Sequence, residues 1–207
     1  MKYEWRKQEE ELYLPKAEPV IVQVPKIKFF TIEGKGNPNN NKDFQARVKT
    51  LYKLAYTVKM MPKAGVTPKG YVEYTVYPLE GIWDISAKGK KAKEFSKDFL
   101  QYKIMIRQPD FVDEAVFEKA LELNVKNKNL LLGEVKLEEI EDGLCVQMLH
   151  KGSYDTEFQT TFQAMEKFIA DNGYKRIGKK HREIYLKFTP DTDKMETTIR
   201  FFVSKWK

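Results

Sequence analysis

The chain is poor in the residues that build covalent and metal-held scaffolds. Among 207 residues there is one cysteine, Cys145, and there are two histidines, His150 and His181. One thiol cannot close an intrachain disulfide, and one cysteine with two histidines cannot complete a tetrahedral zinc site without carboxylates. No metal and no cofactor are expected. No stretch approaches 18 uninterrupted apolar residues, so neither a membrane span nor a membrane partner is expected. The opening Met1-Lys2-Tyr3-Glu4-Trp5-Arg6 runs into Glu9-Glu10-Glu11 without an apolar core. That pattern speaks against a signal peptide and makes the cytoplasm the expected compartment.

What is present suits a folded chain. Hydrophobic residues make up 42% and charged residues 32%, which excludes bulk disorder. The length fits one large domain or two small ones. The net charge is +7, which raises the question of nucleic acid. The basic residues are nevertheless scattered among 30 acidic ones. The densest group, Lys88, Lys90, Lys91 and Lys93, falls in a polar stretch that reads as a loop. Lys179, Lys180 and Arg182 flank a strand. No base-reading motif accompanies them, so a solvated lysine surface is expected and direct nucleic-acid binding is not.

Residues 1–25 are polar and interrupted by Pro15, Pro19 and Pro25, and read as an N-terminal extension. Residues 26–207 read as the main domain. Ile27 to Ile32 has strand character. A helix is expected from about Asn41 to Met61, capped by Asn40 or Asn41 and stopped by Pro62. Tyr71 to Tyr77 and Gly81 to Ile85 read as strands joined by Pro78-Leu79-Glu80. Tyr102 to Arg107 reads as another, followed by a helix from about Phe111 to Val125 capped by Asp110. Val135 to Ile140 and Leu144 to His150 read as a hairpin turning at Asp142-Gly143. A second long helix, about Thr156 to Ala170, is expected behind Asp155 as cap and ahead of Asn172-Gly173. Glu183 to Phe188 and Thr197 to Val203 are the last strands.

The second half echoes the first. The apolar helix positions Phe44, Val48, Leu51 and Ala55 recur as Phe158, Phe162, Met165 and Ile169. Gly34-Lys35-Gly36 recurs as His150-Lys151-Gly152, and Glu73 as Glu183. Amphipathic helices share a spacing by chance, but helix, turn and following glutamate together favour a duplication. The expected fold is α+β: two βαββ modules at about 26–107 and 144–203, linked by 110–140. They would form antiparallel sheet with helices on one face and be related by a pseudo-twofold axis. Between such modules lies a natural ligand groove.

Strand alternation then assigns faces. Tyr71, Glu73, Thr75 and Tyr77 share one face and Val72, Tyr74 and Val76 the other. His181, Glu183, Tyr185 and Lys187 share one face and Arg182, Ile184, Leu186 and Phe188 the other. With the aliphatic faces under the helices, the glutamates and tyrosines, together with Trp83, would line the groove. Aromatic walls hold flat or cationic molecules. A carboxylate among them complements a cation or, once desolvated, serves as a general base, and a tyrosine hydroxyl can donate to a developing oxyanion. Each residue has a plainer reading as well: Glu73 as a solvent-facing strand residue, Trp83 as core, His181 as a surface residue at a strand start. Cys145 and Met60-Met61 read as packing.

The stretch Glu183-Ile184-Tyr185-Leu186, set between a basic turn and a Pro-Asp turn, resembles the C-terminal signature of GyrI-like small-molecule-binding domains. Tyr71-Val72-Glu73-Tyr74-Thr75-Val76-Tyr77-Pro78-Leu79-Glu80-Gly81-Ile82-Trp83 resembles a stand-alone subgroup of them. The resemblance covers about Pro25 to the C-terminus. It implies two SHS2 modules about a central groove and a small-molecule partner, aromatic and cationic or cyclopropanoid. It also implies a role for Glu183 against cationic or polar ligand groups. The subgroup is associated with hydrolysis of cyclopropane-bearing alkylating toxins of the yatakemycin and duocarmycin type. On that resemblance Glu183 would activate or position water, Tyr71 or Tyr185 would stabilise the phenolate, and aromatic walls including Trp83 would hold the flat toxin; alternation adds Glu73, Thr75, Tyr77 and His181 as ligand contacts. The family's regulators carry a DNA-binding helix-turn-helix, for which residues 1–25 are too short. A non-catalytic binder or a gyrase-inhibiting protein is the alternative.

Overall fold

The structure, a computed structural model, describes residues 2–39 and 41–206, apart from the side chains of Asp155, Glu157 and Phe158. Asn40 as a helix cap, Asp155 as a cap and Phe158 as a repeat partner therefore lie outside the described residues. The fold is mixed α+β. Among the described residues its six strands are β1 (Val20–Lys35), β2 (Leu79–Ile85), β3 (Leu100–Arg107), β4 (Lys136–Lys151), β5 (Tyr174–Lys187) and β6 (Glu196–Lys205). The longer helices are α1 (Lys42–Met60), α2 (Glu114–Glu122) and α3 (Thr161–Asp171). The chain divides into two compact units. One comprises Ile27–Leu79 and Ile85–Ile140 with the N-terminal residues through Trp5. The other comprises Arg6–Lys26, Glu80–Asp84 and the chain from Glu141 onward.

In the first unit, β1 pairs antiparallel with β3 from Phe29 opposite Arg107 to Lys35 opposite Gln101. Helix α1 starts where the Asn41 side chain accepts from the amides of Asp43 (2.9 Å) and Phe44 (3.2 Å), satisfying donors that the first turn leaves without partners. Leu51, Leu54, Ala55 and Val58 recur at helical spacing and are fully buried. Pro62 cannot continue the α-helical hydrogen bonds, and the chain tightens into a 3-10 turn over Met61–Ala64. Helix α2 is capped by Asp113, not Asp110, through the amide of Val116 at 3.0 Å. Asn124 donates to Thr57 Oγ1 at 2.8 Å and so ties the chain after α2 to α1.

Residues 71–77 are not a regular strand. The segment is extended, but its ladder is a single parallel bridge, Tyr3 with Tyr74. The backbone bonds run from the Tyr3 amide to Glu73 (2.7 Å) and from the Thr75 amide to Tyr3 (2.9 Å). The expected alternation fails with it. Val72 is half exposed while Tyr77 is buried under Trp5 and the guanidinium of Arg107, 4.7 Å from the ring centroid. Alternation orders side chains only where a ladder holds the backbone flat, and one bridge does not.

In the second unit the antiparallel strands run β2–β5–β6–β4. The expected hairpin at Asp142-Gly143 is absent, and Lys136–Lys151 is one 16-residue strand. Gly143 has φ +67°, as a tight turn would require, yet the strand continues. The Asp142 carboxylate is buried and held by two arginines, which fixes the backbone as strand. Helix α3 begins at Thr161, after a 3-10 stretch over Tyr154–Gln159. It buries Phe162, Met165 and Ile169 against Val146, Ile199, Phe201 and Val203.

That packing reverses the expected faces. Phe201 lies opposite both Val146 and His181, and Ile199 lies opposite Glu183. Directly opposite residues share a sheet face. The face of His181, Glu183 and Tyr185 is therefore the one that α3 packs on. The face of Arg182, Ile184 and Leu186 turns the other way. It is buried too, for a reason that alternation could not supply: the carbonyls of Glu11, Leu12 and Tyr13 accept from Gln147, Arg200 and Thr198 on that side. Phe188, expected with the buried set, lies beyond the strand and is 77% exposed.

Candidate functional site

Strands β2 and β5 bring four of the expected residues together. Gly81 lies opposite Glu183 and Trp83 opposite His181. On β5, His181, Glu183 and Tyr185 fall at alternate positions and point the same way. Both carboxylate oxygens of Glu183 are engaged: His181 Nε2 is 2.9 Å from Oε1, and the Tyr185 hydroxyl donates to Oε2 at 2.8 Å. The Trp83 indole N–H donates in turn to the Tyr185 hydroxyl oxygen at 2.9 Å. The result is a directed chain, Trp83 to Tyr185 to Glu183, met from the other side by His181.

The walls of this chain are rings. Tyr154 meets Tyr185 edge to face at 5.7 Å. Phe162, from α3, meets His181 at 4.9 Å and Phe201 at 4.8 Å, again edge to face. Arg176 lies over Phe201, 3.5 Å from the ring centroid, and is itself bonded to Glu166. Glu183 is buried, with 8% of its surface exposed, and Trp83 with 6%. Burial pushes the Tyr185 hydroxyl well above its ordinary pKa, and the adjacent Glu183 carboxylate raises it further. The hydroxyl is a fixed donor, not a titrating group.

Gly81 escaped the reading of alternation and ring content. A β-carbon at Gly81 would stand 2.7 Å from Trp83 Nε1 and 3.4 Å from the Tyr185 hydroxyl. Only glycine lets the indole lie back across β2 toward β5. The signal was a glycine inside a strand between apolar neighbours, which marks a close approach. Tyr154 and Phe162 were missed because they reach the site from a different element.

The expected groove residues of the first unit have their own surroundings. The Tyr71 hydroxyl donates to the Lys59 carbonyl at 2.8 Å, and its ring packs on Phe111 at 5.3 Å. Glu73 is exposed, Thr75 is half-buried and Tyr77 is buried.

Behind β5 lies a second polar group that the sequence reading did not single out. Arg182 holds Asp142 through Nε and Nη2, both at 2.6 Å, and Glu80 through Nη1 at 2.9 Å. Arg200 adds a contact to Asp142 at 3.3 Å and two to Gln147 Oε1. Burial would push the Asp142 carboxyl up, but Arg182 and Arg200 outweigh it and hold it below the usual carboxylate range. Two cations and two anions balance there. Arg182 sits between His181 and Glu183 in sequence, so its fork and the site side chains alternate on one backbone. Beside this cluster Cys145 is fully buried, and burial pushes its thiol up to about 12, which makes it an inert packing residue. Among the described residues no group of histidine, cysteine and carboxylates could hold a metal ion, and no helix is long and apolar enough to cross a membrane.

Comparison with known proteins gives these geometries a family. Two crystal structures from Listeria innocua match at 35% identity. One, described as a hydrolase, has a TM-score of 0.89 and is matched over 99% of this chain and 100% of its own. The other, an uncharacterized conserved protein, has a TM-score of 0.88 over 98% and 100%. The EcmrR C-terminal domain, at 16% identity and a TM-score of 0.52 over 94% and 99%, shares the fold. No curated protein matches. The model of the GyrI-like small molecule binding domain matches residues 17–202. With a match of that extent and relatives aligned along their full length, the chain belongs to the GyrI-like small molecule binding domain family.

Proposed function

We propose that the Glu183 cluster binds flat aromatic or cationic molecules and hydrolyses cyclopropane-bearing alkylating agents, a detoxifying reaction. The observation that carries this reading is a buried carboxylate whose two oxygens are held in place by His181 and Tyr185 within a wall of rings. Family membership supports a small-molecule ligand, and a full-length relative described as a hydrolase supports a catalytic role. Rings recognise the flat ligand by apolar area and π faces. Glu183 activates or positions the attacking water. The strained ring opens and leaves a phenolate that a tyrosine hydroxyl meets. Of the two tyrosines named for that role, Tyr185 adjoins Glu183 and would turn its hydroxyl proton from that carboxylate to the phenolate, whereas the Tyr71 hydroxyl donates to the Lys59 carbonyl.

The test is turnover of a cyclopropanoid substrate by the intact chain and by Glu183→Gln. Loss of positioned acid–base chemistry lowers rates by about 10²–10⁴, and a loss of that order is expected with the circular dichroism spectrum unchanged. Equal turnover by Glu183→Gln removes Glu183 from the chemistry. Saturable binding of the substrate without product in the unaltered protein establishes the second reading, a non-catalytic binder.

A further inference from the structure

We infer that His181, through Nδ1, is the base that takes the proton of the attacking water, with Glu183 orienting and neutralising it. The inference rests on the hydrolytic reading above and assigns its proton to a named atom. Three observations carry it. An ionised carboxylate only accepts hydrogen bonds, so the 2.9 Å contact of Nε2 with Glu183 Oε1 places the imidazole proton on Nε2. The lone pair of the neutral ring is then on Nδ1, which has no hydrogen-bond partner among the described residues. Glu183, by contrast, already receives a hydrogen bond on each oxygen, from His181 and from Tyr185. Each of its oxygens thus already holds a donor in place, whereas Nδ1 is open to a water. A carboxylate that orients an imidazole and stabilises its cation is a well-understood pairing.

The groups around the ring are consistent with this role. From β5 it faces Glu183, and from α3 and β6 it faces Phe162 and Phe201. Arg176 lies over those two rings and is bonded to Glu166. Trp83 lies opposite on β2 and donates to the Tyr185 hydroxyl. The side chain keeps 12% of its surface exposed.

The step balances as an addition of water. The water oxygen forms a bond to the cyclopropane methylene while a ring C–C bond breaks. That electron pair passes into the conjugated ring and makes its carbonyl oxygen a phenolate. The water proton goes to His181 Nδ1, giving an imidazolium paired with Glu183, and then passes to the phenolate. The product is the ring-opened alcohol and phenol.

Two measurements test the inference. Glutamine at position 181 retains an N–H that can reach Glu183 but has nothing in place of Nδ1. His181→Gln is therefore expected to lose turnover of a cyclopropanoid by at least 100-fold and to lose the acid limb of the pH–rate profile. If His181→Gln retains turnover and that limb, His181 only positions Glu183 and the inference falls alone. If the unaltered protein gives no turnover, the hydrolytic reading and this inference fall together. Nitrogen NMR of the unaltered protein gives an independent readout, because there are two histidines. His150 is an internal control, since both its nitrogens are occupied, by Thr161 Oγ1 at 2.8 Å and the Ser153 carbonyl at 3.0 Å. The neutral His181 ring is expected to carry its proton on Nε2, and its Nδ1 signal to shift on adding the ring-opened product while His150 stays put. A proton on Nδ1, or no response to the product, overturns the inference.

Discussion

At the scale of single residues, Gly81 shows how a side chain that is absent shapes a site. The indole of Trp83 occupies the space a β-carbon would need, 2.7 Å away. The indole is rigid and buried, so it cannot yield as a flexible chain end would. Gly81→Ala is therefore expected to displace Trp83, break its bond to the Tyr185 hydroxyl and destabilise the chain by about 1–3 kcal/mol, the usual cost of overpacking. Thermal melting checks the stability, and the affinity for a flat aromatic ligand checks the site. A variant that melts with the parent and binds as well shows that the indole has room. Trp83 had two readings in the sequence, groove wall and core. The structure has it buried with its N–H directed at a site residue.

At the scale of elements, the balance of charge behind β5 holds the strand in register. Arg182 and Arg200 face each other across β5 and β6, where like charges repel unless an anion lies between. Asp142 is that anion. Removing one member of a buried pair leaves a desolvated charge, at a cost of roughly 3–5 kcal/mol. Asp142→Asn is expected to lose that much in urea unfolding. The pH dependence follows from the lowered Asp142 value. A carboxyl whose native pKa lies below its unfolded value, roughly 3.9, contributes its full stability above that value. The contribution is lost as pH falls through it toward the native value. The urea midpoint should fall below about pH 4, and this fall should be shallower in Asp142→Asn. An equal acid slope in the two proteins would remove Asp142 as its source. The sequence suggested a turn at this place because Asp-Gly is a turn dipeptide. Its partners lie 40 and 58 positions away, and no local pattern could announce them.

At the scale of the whole molecule, the N-terminal residues are part of the architecture. They read as a polar extension, and the family model begins at residue 17. Yet the carbonyls of Glu11, Leu12 and Tyr13 serve Gln147, Arg200 and Thr198, and Tyr13 itself is 2% exposed. Deleting the chain through residue 13 would strip acceptors from three buried donors, each costing about 1–3 kcal/mol when orphaned. The truncated protein is expected to unfold at markedly lower urea or to fail to accumulate as a folded species. An unchanged midpoint would show that water replaces the lost carbonyls.

The course of most elements, and the side chains that travel together, are legible in the residues alone. Asn41, Pro62 and Asn172-Gly173 bound their helices, and alternation grouped His181, Glu183 and Tyr185. Those signals are local, acting over a few residues through hydrogen bonds and sterics. Contacts between distant parts of the chain are what put α3 on the Glu183 face, hold Asp142 within a strand and leave residues 71–77 without a regular ladder. A period of two separates the faces of a strand, but what covers each face is chosen by partners far along the chain. Here a buried arginine fork and a returning N-terminal segment make the second face of β5 as dry as the first.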